Sequence, residues 1–136
     1  MKSILVLCTG NSCRSIMAEA LINALGQKRY RACSAGSKPV GHVHPKSIET
    51  LMRHGIDVGE PYSKSWNEFE GEHFDFVITV CDQAANESCP ICFGKHKKLH
   101  WGMPDPAKVQ GSEDKINAAF DDAFTRLKNR ILKELL

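Results

Sequence analysis

Short, fully apolar runs alternate along this chain with longer helical stripes, and that alternation limits what it can fold into. The run "SILVL" at residues 3–7 has no polar break after its first residue, as a strand covered on both faces requires. From Arg14 to Leu25 the apolar residues fall at Ile16, Met17, Ala20, Leu21, Ala24 and Leu25, one helical stripe closed by Gly26. "YRACSAG" reads as a second strand, "FDFVITV" as a third and "KKLHW" as a weaker fourth. "PKSIETLMRHG" reads as a helix with Pro45 at its start, Ile48, Leu51 and Met52 on one face, and Gly55 past its end. A long helix follows Ser112, with Ile116, Ala119, Phe120, Ala123, Phe124, Leu127 and Ile131 at steps of three and four. Strands alternating with helices predict one α/β domain over residues 1–136, a parallel sheet flanked by helices on both faces. Open sheets of this kind bind ligands beyond the carboxyl ends of strands, where the winding reverses, commonly after the first strand. Cys8 lies at that end of that strand.

Composition narrows the class of function. A chain of 136 residues buries a core without help from disulfides or metal, and a formal charge of +2 argues against nucleic acid or a membrane surface as partner. The basic runs "GKHKKLH" and "RLKNR" read as solvated faces. The apolar run after Lys2 is shorter than the roughly 7 to 15 residues of a secretory core, and no stretch approaches the roughly 18 to 20 of a membrane span. A cytoplasmic protein is expected, and a monomer. In that compartment thiols stay reduced, so the six cysteines read as thiols with redox or metal chemistry.

The stretch "CTGNSCRS", Cys8 to Ser15, joins the first strand to the first helix. Such a loop can aim several backbone N–H groups at one point, with the helix dipole adding positive potential. Gly10, Asn11 and Ser12 suit the tight turn, because glycine and asparagine tolerate positive φ. Arg14 at the far end can grip a tetrahedral oxyanion with two parallel hydrogen bonds. Thr9, Gly10, Asn11, Ser12, Cys13 and Arg14 would then bind the oxyanion above Cys8, whose pKa the same groups lower, leaving a thiolate nucleophile. Ser15 can add a hydrogen bond to that sulfur. The bland reading of Cys8 alone is a small buried hydrophobe, and the spacing to Arg14 argues against it. Cys13 is expected to pack beneath the loop and Cys33 in the core.

"VLCTGNSCRSIMAEA" resembles the C-x5-R-S signature of the low-molecular-weight protein tyrosine phosphatase superfamily, and "SAGS" and "MPDPA" match it in order. The resemblance implies a four-stranded parallel sheet flanked by helices, and a general acid at Asp105 of the Asp105-Pro106 pair. A phosphatase of this type needs one cysteine, whereas "TVCDQAANESCPIC" supplies Cys81, Cys89 and Cys92. That pattern is similar to the arsenate-reductase branch of the superfamily. The branch implies reduction of arsenate to arsenite, with Cys81 attacking Cys8 and a third thiol taking over the disulfide. Thioredoxin, or glutathione with glutaredoxin, would reset the enzyme, with no cofactor or metal. The family separates its second and third cysteines by six residues, while seven separate Cys81 from Cys89, so Cys92 is an alternative relay thiol beside the preferred Cys89. The relay implies that the polar segment from Asp82 to Cys92 rearranges and is less stable than the sheet.

Three alternatives stand beside that reading. A phosphatase acting on phosphomonoesters is the second, although Ala107-Lys108 replace the aromatics that phosphotyrosine enzymes carry after the Asp-Pro pair. Cys89, Cys92, His96 and His100 form a third, a zinc set with spacing too short for a finger. A regulator binding arsenite through its thiols is the last. Some relatives hold potassium beside the loop through equivalents of Asn11, Glu19 and Ser34; here Lys64 is expected to bring its ammonium to that place, a solvated lysine being the alternative.

Overall fold

The computed structural model describes residues 1–85 and 96–136. Its elements run β1 (Lys2–Leu7), α1 (Arg14–Leu25), β2 (Tyr30–Ala35), α2 (Pro45–Arg53), β3 (Phe76–Thr79), α3 (Asp82–Ala85), β4 (Lys97–His100) and α4 (Glu113–Glu134). Short 3-10 turns lie at Trp66–Phe69 and Pro106–Lys108. The four strands are all parallel in the order β2-β1-β3-β4, as the fold family implies. The register sets Leu7 beside Ala35 and Thr79, and Thr79 beside His100, so these four residues form the carboxyl edge of the sheet. With β1 in the middle, the chain leaves it for β2 on one side and returns to β3 on the other. The two connections part above the end of β1 and open the crevice in which Cys8 sits. Every residue from Ile4 to Leu7 is buried, so both faces of the sheet are covered at that strand.

The expected stripe of α1 widens in the fold. Ser15, Ala18 and Ile22 are buried beside Ile16, Met17, Ala20 and Leu21, because α1 packs on β1 and β2 and also meets α2 and α4. The expected face of α2 is displaced. Its buried residues are Ser47, Thr50 and Leu51, while Ile48 is half-buried and Met52 is 65% exposed. The helix turns a partly polar side to α4 because polar and aromatic partners wait there. Lys46 reaches Glu113 (3.0 Å), Arg53 pairs with Asp121, and His54 stacks on Phe124 at 4.0 Å.

The long helix α4 follows its pattern. Ser112 caps it by accepting from the Lys115 N–H (3.2 Å), and Glu113 and Asp114 suit the positive end of its dipole. Phe120, Ala123, Phe124, Leu127 and Ile131 form its buried face. Large side chains such as Phe120 and Leu127 each contribute about 1.5–3 kcal/mol by leaving water.

Candidate active site

The loop from Cys8 to Cys13 is shaped by where its carbonyls go. Those of Thr9, Gly10 and Ser12 accept backbone N–H bonds from Lys38 (3.0 Å), Val40 (3.1 Å) and His44 (3.1 Å). The C=O and N–H of a trans peptide point opposite ways. Spending these carbonyls on residues 38–44 therefore turns the N–H groups of Gly10, Asn11 and Cys13 away from that segment, towards the hollow of the loop. Gly36, at the end of β2, permits the close approach on the other flank. A Cβ there would stand 2.6 Å from the Cys8 carbonyl oxygen.

Asn11 anchors the turn. Its backbone adopts φ +46°, a left-handed conformation that asparagine tolerates, and its side chain is fully buried. The amide nitrogen donates to Ser15 Oγ (2.8 Å) and Ser34 Oγ (3.0 Å), and its oxygen accepts from the Lys64 N–H (2.9 Å). The Ser15 oxygen thus pins Asn11. Through that bond Ser15 also shapes the loop.

A cleft of about 230 Å³ opens over the loop, walled by Cys8, Ser12, Arg14, Val40, His42 and Asp105. Arg14 donates from Nη1 to the Met103 carbonyl (2.8 Å) and sets Nη2 3.7 Å from Asp105 Oδ2. Its Nε is buried and has no partner among the described residues. An unpaired buried donor is costly, and a tetrahedral oxyanion is the chemistry that would satisfy it. Asp105 is held by accepting the Ala107 N–H at Oδ1 (3.0 Å), which leaves Oδ2 on the cleft side with Arg14. Asp105, far along the chain, therefore meets Cys8 and Arg14 at one cleft.

Cys81 follows β3 by one residue beyond Val80 and faces the same loop. Its thiol and that of Cys8 are hydrogen-bonded, and the Thr9 hydroxyl lies 3.7 Å from Cys81 Sγ. The bond from Cys8, with the N–H groups of Thr9 and Ala84, brings Cys81 down to about 5. The same bond and burial push Cys8 up, against the pull of Arg14 and the Gly10 N–H. A proton can pass along this bond from one sulfur to the other, and Arg14 and the Gly10 N–H favour the charge on Cys8.

The remaining thiols are quieter. Cys13 is buried beneath the loop beside Ser47, and burial raises its pKa. Cys33 is only half-buried, at the margin of the core rather than within it. Cys89 and Cys92 lie outside the described residues, as does most of the segment expected to rearrange. Among the described residues no group of three metal-ligating side chains forms, and His100 of the zinc alternative bonds Thr79 and Asp82.

Lys64 stands where its ammonium was expected. It is 6% exposed, its Nζ donates to the Tyr62 carbonyl (3.0 Å), and it lies 3.9 Å from Glu19 Oε1, which also accepts from Ser34 (3.3 Å). Burial raises the Glu19 pKa, and Lys64 and Ser34 oppose the rise. The solvated-lysine alternative is thereby excluded. Val40 and His42 are site residues that carry no sequence signal, since nothing in "SKPVGHVH" announces a cleft wall.

The family described as low molecular weight phosphotyrosine protein phosphatase matches residues 3–136. An arsenate reductase of Bacillus licheniformis is 36% identical over 130 residues, 96% of this chain and 92% of that protein. Among solved structures, an arsenate reductase in a phosphate-binding state superposes with a TM-score of 0.78 at 25% identity, over 98% of this chain and 95% of that one. A thioredoxin-dependent arsenate reductase of Corynebacterium glutamicum gives a TM-score of 0.68 at 25% identity, over 98% of this chain and 61% of that one.

Proposed function

The chain belongs to the low molecular weight phosphotyrosine protein phosphatase family, and from that premise we propose that it reduces arsenate to arsenite with its own thiols. The observation that carries this reading is the hydrogen-bonded pair Cys8–Cys81 beside the anion loop. Hydrolysis of a phosphomonoester needs one nucleophilic thiol. Reduction of arsenic from the +5 to the +3 state takes two electrons, and two thiols closing to one disulfide supply them.

Arsenate binds through the loop N–H groups and the Arg14 fork, with Nε gaining the partner it lacks. The Cys8 proton passes to Cys81, and the Cys8 thiolate attacks arsenic. Asp105 protonates the departing oxygen, which leaves as water. Cys81 gives up that proton to solvent, and its thiolate attacks Cys8 Sγ. The S–S bond forms, the S–As bond breaks, and its electron pair stays on arsenic, which departs as arsenite. Cys89, or Cys92, attacks Cys81 and frees Cys8, and an external dithiol of the thioredoxin or glutaredoxin type reduces the final disulfide.

The test is arsenate turnover with a dithiol donor, followed by peptide mapping of stalled variants. Cys89→Ser should release one equivalent of arsenite and stop as a Cys8–Cys81 disulfide; if Cys92 is the relay, Cys92→Ser stops there instead. Cys81→Ser should release arsenite only with added thiol, while still hydrolysing an aryl phosphate. Absence of arsenite from the unaltered protein, with aryl phosphate hydrolysis intact, would leave the phosphatase reading in its place.

A further inference from the structure

Resting on that reading, the geometry assigns His100 a role that no sequence motif gives it: it is the positioning residue for Cys81. One imidazole fastens the chain on both sides of the relay cysteine. His100 Nδ1 lies 2.7 Å from the hydroxyl of Thr79, two residues before Cys81, and Nε2 lies 3.0 Å from Oδ1 of Asp82, the residue after it. The Val80-Cys81 step is thus bracketed by two bonds from a single rigid ring at the end of the neighbouring strand. Thr79 is itself fixed, since its carbonyl accepts the Trp101 N–H (2.7 Å) and its side chain is buried.

The clasp holds in either charge state of the ring. With a neutral imidazole, the Thr79 hydroxyl donates to Nδ1 and Nε2–H donates to the carboxylate. With an imidazolium, Nδ1–H donates to Thr79, whose own hydroxyl proton can turn to the Leu99 carbonyl (3.5 Å). Gly102 is the second observation. A Cβ at that position would stand 2.7 Å from His100 Nε2 and 2.8 Å from Asp82 Oδ1, between the two partners. The chain leaves this space clear, and the clasp closes through it.

Fixing Cys81 matters because disulfide closure requires its sulfur to stay within reach of Cys8 while arsenic is bound, in competition with loss of the adduct to solvent thiol. The Asp82 side chain is 89% exposed and that of His100 40% exposed, so the carboxylate end is weak and the Thr79 end carries the alignment.

Four variants test the assignment: His100→Ala, His100→Gln, Asp82→Asn and Gly102→Ala. Two rates are read in each, Cys8–Cys81 closure and aryl phosphate hydrolysis. Closure is measured by mass mapping, both in a single arsenate turnover and with a dithiodipyridine oxidant in the absence of arsenate. His100→Ala should slow closure about fivefold, the scale of one exposed pair with a hydrogen bond behind it, and Gly102→Ala should approach that loss because its Cβ, 2.7 Å from Nε2 and 3.2 Å from Cε1, pushes the ring itself off Thr79. Asp82→Asn should slow it less. His100→Gln, which keeps an N–H for Asp82 but not the Thr79 bond, should recover only a small part of the rate, and aryl phosphate hydrolysis and the KM for arsenate should not move. Unchanged closure in His100→Ala and Gly102→Ala would overturn the assignment, as would equal losses in closure and hydrolysis, which mark a merely structural role. The oxidant arm reads the clasp even if the protein makes no arsenite, so failure of the arsenate reading and failure of the clasp give different results.

Discussion

Replacing Asn11 by alanine removes three hydrogen bonds from one buried point and asks an alanine to hold φ +46°. Ser15 and Ser34 carry rotatable hydroxyls and can re-pair with their surroundings. The Lys64 backbone N–H cannot, and a buried unpaired donor costs about 1–3 kcal/mol. The left-handed backbone adds about 1–2 kcal/mol for a residue with a Cβ and no local hydrogen bond to compensate. Together they take about 2–5 kcal/mol from a total that for natural domains is about 5–15 kcal/mol. At about 3–4 °C per kcal/mol for a chain of this size, the melting temperature should fall by about 6–20 °C. Asn11→Gly loses the same bonds but keeps the backbone at ease, so it should be more stable than Asn11→Ala by about 1 kcal/mol. Denaturant unfolding of the three proteins, with the KM for an aryl phosphate as the functional readout, gives both quantities. Equal stability of the alanine and glycine variants would refute the backbone argument. If both lay within about 0.5 kcal/mol of the unaltered protein, the side-chain network would not be what holds the loop.

Lys64→Met should leave Glu19 without its nearest cation and raise its already elevated pKa further. A carboxyl whose folded pKa exceeds its unfolded one binds more protons when folded, so stability falls as pH rises through that interval. The variant should therefore lose stability relative to the unaltered protein as pH rises above the ordinary carboxylate range, seen in thermal melts as a gap widening with pH; a gap independent of pH refutes the pairing. The unaltered protein should show no strong activation by potassium over sodium, because the Lys64 ammonium already sits beside Glu19. Asp105→Asn should slow both arsenate reduction and aryl phosphate hydrolysis by about 100- to 10,000-fold, the loss of a general acid, and a change confined to KM would remove that role. Cys81→Ser should bring the alkylation profile of Cys8 to lower pH, because the bond to Cys81 that raises its pKa is gone while Arg14 and the Gly10 N–H remain. An unmoved profile would place the cause of the raised pKa in burial alone.

The sequence alone determined the sheet, the helices α1 and α4, and the anion loop, because each rests on local chemistry. An unbroken apolar run, a stripe at helical spacing closed by Gly26 and an Asn in a strand-to-helix turn act through neighbours a few residues away. The pairing of Cys8 and Arg14 was legible for the same reason, both lying within one short loop. Only tertiary structure decided what depends on distant parts meeting. Met52 continues the apolar pattern of α2, yet it faces water because α4 offers Asp121 and Phe124 to the helix's other side. Val40 and His42 became cleft walls through hydrogen bonds that residues 38–44 make to the loop carbonyls. The Cys81 pKa is lowered because the pKa of a thiol is set by whichever donors surround it. Those of Cys81 come from Thr9, 72 positions away, from Ala84 and from Cys8 itself. His100 carries no motif, and its part at the site exists only because the parallel register lays the end of β4 beside Thr79.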